Sequence, residues 1–182
     1  MNIACALRNM FLIGLSVCIF SLMSGCTGKE PEPGYSHELT REEMIRVNQF
    51  LAGKDMELIN AYISRRNWDI EFTGTGLGFQ IYQAGEGQRV ERGHQITINY
   101  TSSLLDGRVC YSSDGNGPKS FRVGQGGVES GLEEGVLMLR VGDKARFILP
   151  PFLAHGLIGD QNRIPPRAVL IYEVEVLEVI PR

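Results

Sequence analysis

Apolar and polar positions change period several times along this chain, and the changes divide it. Met10 to Met23 is an almost continuous apolar run, shorter than the ~20 residues a membrane-spanning helix needs. Thr27 to His37 (TGKEPEPGYSH) shows no period at all. Helical spacing then sets in, with Met44, Val47 and Leu51 on one stripe and Met56, Ile59 and Ile63 on a second. Thr40-Arg41-Glu42-Glu43 matches a capping box, in which threonine and glutamate satisfy each other's backbone donors at a helix start. Arg65-Arg66 suit a final helical turn. With Gly53 as the joint, residues 39–76 are expected to form a helical hairpin, with Trp68 and Phe72 covering part of its contact and Thr73-Gly74-Thr75-Gly76 as the turn into the next segment.

From residue 77 onward the period is mostly two. Phe79 to Gln83 reads as a short strand. Ile96, Ile98 and Tyr100 alternate with Thr97, Asn99 and Thr101, the pattern of a half-buried strand. Asp106-Gly107 is a hairpin-turn signal, with Val109 to Ser112 running outward from it, a loop over residues 113–118, and Ser120 to Val123 as another strand. Leu170, Tyr172, Val174 and Val176 face one way along the last and longest strand, Glu173 and Glu175 the other. One stretch breaks the alternation: in GVESGLEEGVLMLRVGDKARFILPP (Gly127 to Pro151), Leu132, Val136 and Leu139 have helical spacing, and an apolar run from Ala145 to Leu149 stops at two prolines. A helix this short is unstable alone in water, so its apolar side must rest on something, most simply the face of a sheet. The expected fold is α+β: an antiparallel sheet with one wet face and one face covered by a short helix.

Composition narrows the function. At 182 residues, with 43% hydrophobic and 21% charged residues, the chain suits one domain with modest extensions. The 22 glycines fit a turn-rich β protein, and a net charge of −3 without a basic patch argues against nucleic acid as a partner. Residues 1–25 resemble an export signal, with Arg8 ahead of the apolar run and small residues after it. Met23-Ser24-Gly25-Cys26 resembles a bacterial lipobox, which implies an acylated Cys26 at the mature N-terminus, residues 26–38 as a flexible tether, and a stable anchor once several acyl chains are present. Cys5 and Cys18 leave with the signal, so Cys110 remains as a lone thiol, with no intramolecular disulfide and no cysteine-built metal site.

The run from Phe79 to Ile180 resembles the FKBP-type peptidyl-prolyl cis-trans isomerases. The resemblance is carried by Tyr100-Thr101, Leu105-Asp106-Gly107, Ser112-Ser113, Gly131-Leu132-Glu133-Glu134-Gly135, Val141-Gly142-Asp143-Lys144-Ala145 and Ile164-Pro165-Pro166, in the family's order and spacing. It implies an FKBP-like fold over residues 77–182: a five- or six-stranded antiparallel sheet wrapped around one short helix. Lipobox, hairpin and domain together resemble the gliding-motility-type isomerase lipoproteins of the Bacteroidetes. The implied location is the cell envelope, lipid-anchored at the outer membrane and facing the periplasm. The implied partners are proline-containing polypeptides among exported proteins, and no cofactor is implied. Residues 39–66 are expected to pack on the domain or to self-associate.

Residue by residue, the resemblance places Tyr100, Phe121, Val128, Ile164 and Tyr172 on the walls of a prolyl pocket and Leu132 on its floor, where tryptophan is common in the family. His155 stands where a tyrosine usually donates a hydrogen bond to bound peptide, and imidazole can also donate. Glu129 occupies an aliphatic position whose backbone N–H serves the family, so its side chain is expected to matter less. Cys110 replaces a pocket phenylalanine and Tyr111 replaces the family's aspartate. Swapping an ionic partner for a neutral phenol costs roughly tenfold or more in rate, so weakened isomerase activity is expected, with Tyr100, Tyr111 and His155 as the catalytic positions. The alternative is a non-catalytic peptide-binding or interaction module of an envelope complex.

Other chemistries have less behind them. His37, His94 and His155 are too scattered for a metal site. Asp114 and Asp160 lack the regular oxygen-ligand spacing of a calcium loop. Ser102-Ser103 and Ser112-Ser113 carry no nucleophile motif.

Overall fold

The structure, a computed structural model, describes residues 39–181. The expected signal, the expected lipidation at Cys26 and the expected tether all lie outside the described residues. Helix α1 spans Arg41–Arg66. It is followed by β1 (Glu71–Phe72), β2 (Gly78–Gln83), β3 (Gln95–Leu104), β4 (Val109–Ser112), helical turn α2 (Ser113–Asn116), β5 (Lys119–Arg122), helix α3 (Ser130–Val136), β6 (Lys144–Leu149), a 3-10 turn at Pro151–Leu153 and β7 (Leu170–Ile180). All pairings are antiparallel, in the order β1-β2-β6-β7-β3-β4. Strand β5 shares β3's free edge with β4, pairing Gln95–Ile98 while β4 pairs Thr101–Ser103. The long β3 and β7 pair from Gln95↔Ile180 to Leu104↔Leu170, with one register shift at Thr97/Ile98.

The sheet curls over α3. Leu132, Val136 and Leu139 are fully buried and pack with Ile96, Ile98, Phe147, Leu149, Tyr172 and Val174 in one cluster. The helix is shorter than its apolar spacing suggests, since Leu139 lies beyond its end yet remains in the core. Helix and sheet approach closely at glycine. A Cβ on Gly135 would come within 2.7–2.9 Å of three Phe147 ring atoms, and one on Gly131 within 2.7 Å of Leu149 Cγ. The turn after α3 is stapled by buried Asp143, whose Oδ2 accepts the Arg140 N–H at 2.7 Å.

Three expectations are corrected. The helical hairpin is a single 26-residue helix that continues through Gly53. A lone glycine costs a helix only about 1 kcal/mol, and no proline or second cap stops it there. The stop comes at Asn67, in the left-handed region with φ 52°, where Asn67 N–H reaches Ser64 O and Trp68 N–H reaches Ile63 O, the Schellman pattern. Secondly, the outer face of the sheet is not simply wet. Ile59 of α1 packs with Ile148 and Val169, flanked by Met56, Ile63, Trp68, Ile70 and Leu105. The near-continuous apolar run of β6 reflects this, because a strand covered on both faces need not alternate. Thirdly, the sheet has seven strands, and the segment after Ser112 begins with a helical turn capped by Ser112 Oγ, which accepts the Asp114 N–H.

One ion pair links α1 to the loop before β7. Arg167 Nη2 donates to Asp55 Oδ1 at 2.8 Å and Oδ2 at 3.1 Å, and Asp55 is buried. Nearby, Arg146 stacks its guanidinium 3.5 Å from the Trp68 ring centroid while its Nε donates to Glu173 at 2.7 Å.

Candidate functional site

Strands β3, β4, β5 and β7, the segment ahead of α3 and the long connection from Pro151 to Val169 bring the predicted residues together. Cys110, Phe121, Leu132, Ile164 and Tyr172 belong to one buried cluster, and Tyr100, Tyr111, Val128 and Ala154 pack against it. Leu132 is wholly buried within this cluster. Tyr100 and Tyr172 stack with ring centroids 6.1 Å apart and 29° between planes, and Lys119 Nζ stands 5.6 Å from the Tyr100 ring centroid. The Cys110 thiol is enclosed, and burial pushes its pKa up, so it remains a protonated core group with Sγ 3.7 Å from Arg163 O. The Arg163 guanidinium donates to Cys110 O at 2.9 Å and closes that corner.

Tyr111, at the position where the resemblance implies an aspartate, has a carboxylate beside it. The Tyr111 hydroxyl donates to Asp160 Oδ2, which lies on the connection between Pro151 and Val169. Asp160 is fixed by its own loop: Oδ1 accepts the Ile164 N–H at 2.7 Å and the Asn162 N–H at 2.9 Å, while its N–H donates to Ile164 O at 3.1 Å. This closed loop needs Gly159, with φ 70°, where a Cβ would lie 2.2 Å from Ile164 O. Desolvation alone would raise the Asp160 carboxyl; the hydrogen bonds from Tyr111, Ile164 and Asn162 outweigh it and lower the pKa to about 2. The hydrogen bond to Asp160, with burial second, raises the Tyr111 phenol, so it stays neutral and donating. In the sequence Asp160 suggests at most a calcium ligand without the spacing for one. Its role depends on a contact 49 residues away, for which the chain carries no local signal. Among the described residues no group of three or more His, Cys, Asp or Glu is arranged to hold a metal.

Glu129 is the second residue whose side chain counts for more than its sequence position implies. Its Oε1 accepts the Tyr172 hydroxyl at 2.6 Å and lies 2.9 Å from His155 Nε2. An ionised carboxylate only accepts, so Nε2 carries the hydrogen, and the imidazole donor expected to meet a peptide is directed at Glu129 in the free protein. Burial would raise the Glu129 carboxyl; the hydrogen bonds from Tyr172 and its own amide, the Lys119 charge and His155 reverse this and hold it below the usual range. Burial, then the Glu129 charge, raise the Tyr172 phenol far above its ordinary value. The site thus holds two ionised carboxylates, each bonded to a tyrosine hydroxyl, around an apolar and aromatic interior.

Residues 86–177, about half of the chain, match the family described as FKBP-type peptidyl-prolyl cis-trans isomerase. The chain is 35% identical over 113 residues to the FKBP-type peptidyl-prolyl cis-trans isomerase FkpA of Escherichia coli, covering 62% of this chain and 41% of that protein. It is 40% identical over 107 residues to peptidyl-prolyl cis-trans isomerase Fkbp12 of Drosophila melanogaster, covering 57% of this chain and 99% of that protein. The crystal structure of FkpA from Escherichia coli is similar with a TM-score of 0.60 and 27% identity, over 79% of this chain and 75% of that one. The matched region therefore spans less than half the length of the bacterial relative and nearly all of the insect one.

Proposed function

Because this chain belongs to the FKBP-type peptidyl-prolyl cis-trans isomerases, we propose that its groove accelerates rotation about X–Pro bonds in polypeptides. Uncatalysed rotation takes ~10–100 s because the peptide C–N bond has partial double-bond character. The twisted transition state loses that resonance and is less polar than the planar amide, so a water-excluding, aromatic-lined cavity favours it without a nucleophile. The observation that carries the reading is the convergence of Phe121, Leu132, Ile164 and Tyr172 on one buried cluster with Tyr100, Tyr111 and Val128 packed against it. Activity is weakened relative to a site whose one carboxylate at this end stands at position 111 instead of 160. Asp160 supplies a charge at the mouth, but it reaches the groove through a phenol and is itself held by two backbone amides. A protease-coupled assay on a proline peptide tests this, and rates equal to the uncatalysed rate in the wild type and in every Tyr111 and Asp160 variant rule the isomerase reading out.

The setting is the folding of exported proteins from a lipid anchor at the cell envelope, with Cys26 acylated. Support comes from the charged start, the apolar run and the Met23-Ser24-Gly25-Cys26 pattern. Mass spectrometry of the mature N-terminus decides it, since an unmodified Cys26 removes the anchor. The alternative of an interaction module draws on α1, whose N-terminal half exposes Met44, Ile45, Val47 and Phe50. Exposed apolar residues on one helix suit self-association or a partner protein. Sedimentation of the chain with and without F50D reads whether that face joins two copies.

A further inference from the structure

One polar atom in the site has no partner. Glu129 Oε2 is buried and accepts no hydrogen bond, while Oε1 takes both Tyr172 and His155. The Glu129 side chain is only 9% exposed. A buried acceptor without a partner is costly, and costlier when it bears charge, so this one calls for a functional explanation. Glu129 is one of the residues around a cavity of about 370 Å³, with Lys119, Gly127, Val128, Ala154 and His155. Lys119 does not fill the vacancy: its ammonium stands over the Tyr100 ring, and it makes no hydrogen bond to Oε2. His155, more exposed than Glu129 at 29%, is the movable member of the pair.

We propose that Glu129 is a specificity-determining residue: its free carboxylate oxygen selects proline peptides that carry a cationic, hydrogen-bond-donating side chain next to the proline. The inference rests on the isomerase reading of the groove, and it assigns to the Glu129 side chain a role beyond that of the backbone amide. A lysine or arginine that enters from the cavity and displaces the His155 imidazole meets the unpartnered Oε2 with a charge-assisted bond, the strongest type available to a carboxylate. The Tyr172 contact to Oε1 holds the acceptor in place meanwhile. A glutamate beside the proline meets like charge and is refused, and an aliphatic residue leaves Oε2 empty.

The test compares two peptides that differ by a terminal ammonium, Lys-Pro and norleucine-Pro, in otherwise identical sequences. Turnover is followed in the protease-coupled assay, and binding by fluorescence anisotropy of the same labelled peptides. The wild type is expected to favour lysine over norleucine roughly tenfold, E129Q to retain a smaller preference, and E129I to lose it. K119M, which removes the competing cation, is expected to widen the preference. Equal values for the two peptides in the wild type, or a lysine preference that survives E129I, overturn the proposal. A Glu129-dependent binding preference without turnover upholds the selectivity and removes the isomerase reading. Turnover without any preference does the reverse. Circular dichroism of E129Q and E129I confirms that each is folded, and the binding ratio within one variant is independent of its yield.

Discussion

The Tyr111 hydroxyl donates to the Asp160 carboxylate, joining β4 to the loop that carries Ile164. The position where the resemblance implies an aspartate holds the hydrogen-bond donor, and the carboxylate is on its partner. An ionised carboxylate therefore stands at this end of the site, which alters what substitution there should do.

Tyr111→Asp alone is expected to lower activity. It would place a second carboxylate beside Asp160, where two like charges disfavour joint ionisation. Y111D/D160N, with one carboxylate on the family's side, is expected to exceed the wild type by roughly tenfold. D160N alone should fall below wild type. A protease-coupled assay of the four proteins checks the order, and Y111D alone outrunning the double variant would contradict it.

Asp160 also sets an acid-range dependence of stability. Its folded pKa is lowered to about 2, against ~3.9 for an unperturbed aspartate. A depressed carboxyl contributes stability that is present above the unfolded value and is lost as pH falls through the folded one. The stability difference between wild type and D160N should hold steady from about pH 7 to 5 and close between about pH 4 and 2. Urea unfolding across that range measures it, and a gap that persists at about pH 2 is the contrary result.

Gly135→Ala separates packing from propensity. Helix propensity alone predicts a gain of about 1 kcal/mol. The new methyl would meet the Phe147 ring at 2.7–2.9 Å, and neither fully buried Phe147 nor the short helix has room to retreat. The expected outcome is a net loss of about 1–3 kcal/mol in urea unfolding, with less lost in a G135A/F147L double variant.

Arg167→Met tests the tie between α1 and the site loop. It strands the buried Asp55 carboxylate, and because Arg167 is partly exposed the cost is expected at about 2–3 kcal/mol, below that of a fully buried pair. D55N/R167M should recover much of it. Hydrogen exchange should show the C-terminal half of α1 opening more readily in R167M, and protection equal to wild type would count against the tie.

Periodicity and punctuation carried a good deal of this protein. Alternation along β3 and β7, the Asp106-Gly107 turn, the proline stop after β6 and the three-to-four spacing of Leu132, Val136 and Leu139 are local signals, and each element forms where its own residues favour it. Burial on one face of each element then leaves few ways to assemble them, so the sheet over α3 and its cluster of aromatic residues arise from the linear pattern. Gly53 was misleading because a single glycine weakens a helix without ending it, and the decision lay with Asn67 and with Ile59 docking on Ile148 and Val169. The partners of Tyr111 and Glu129 were beyond local reading altogether. Asp160 is 49 residues from Tyr111, and Tyr172 is 43 from Glu129. Which acid meets which hydroxyl depends on how the chain closes on itself, because a hydrogen bond is made by proximity in space and leaves no period in the sequence.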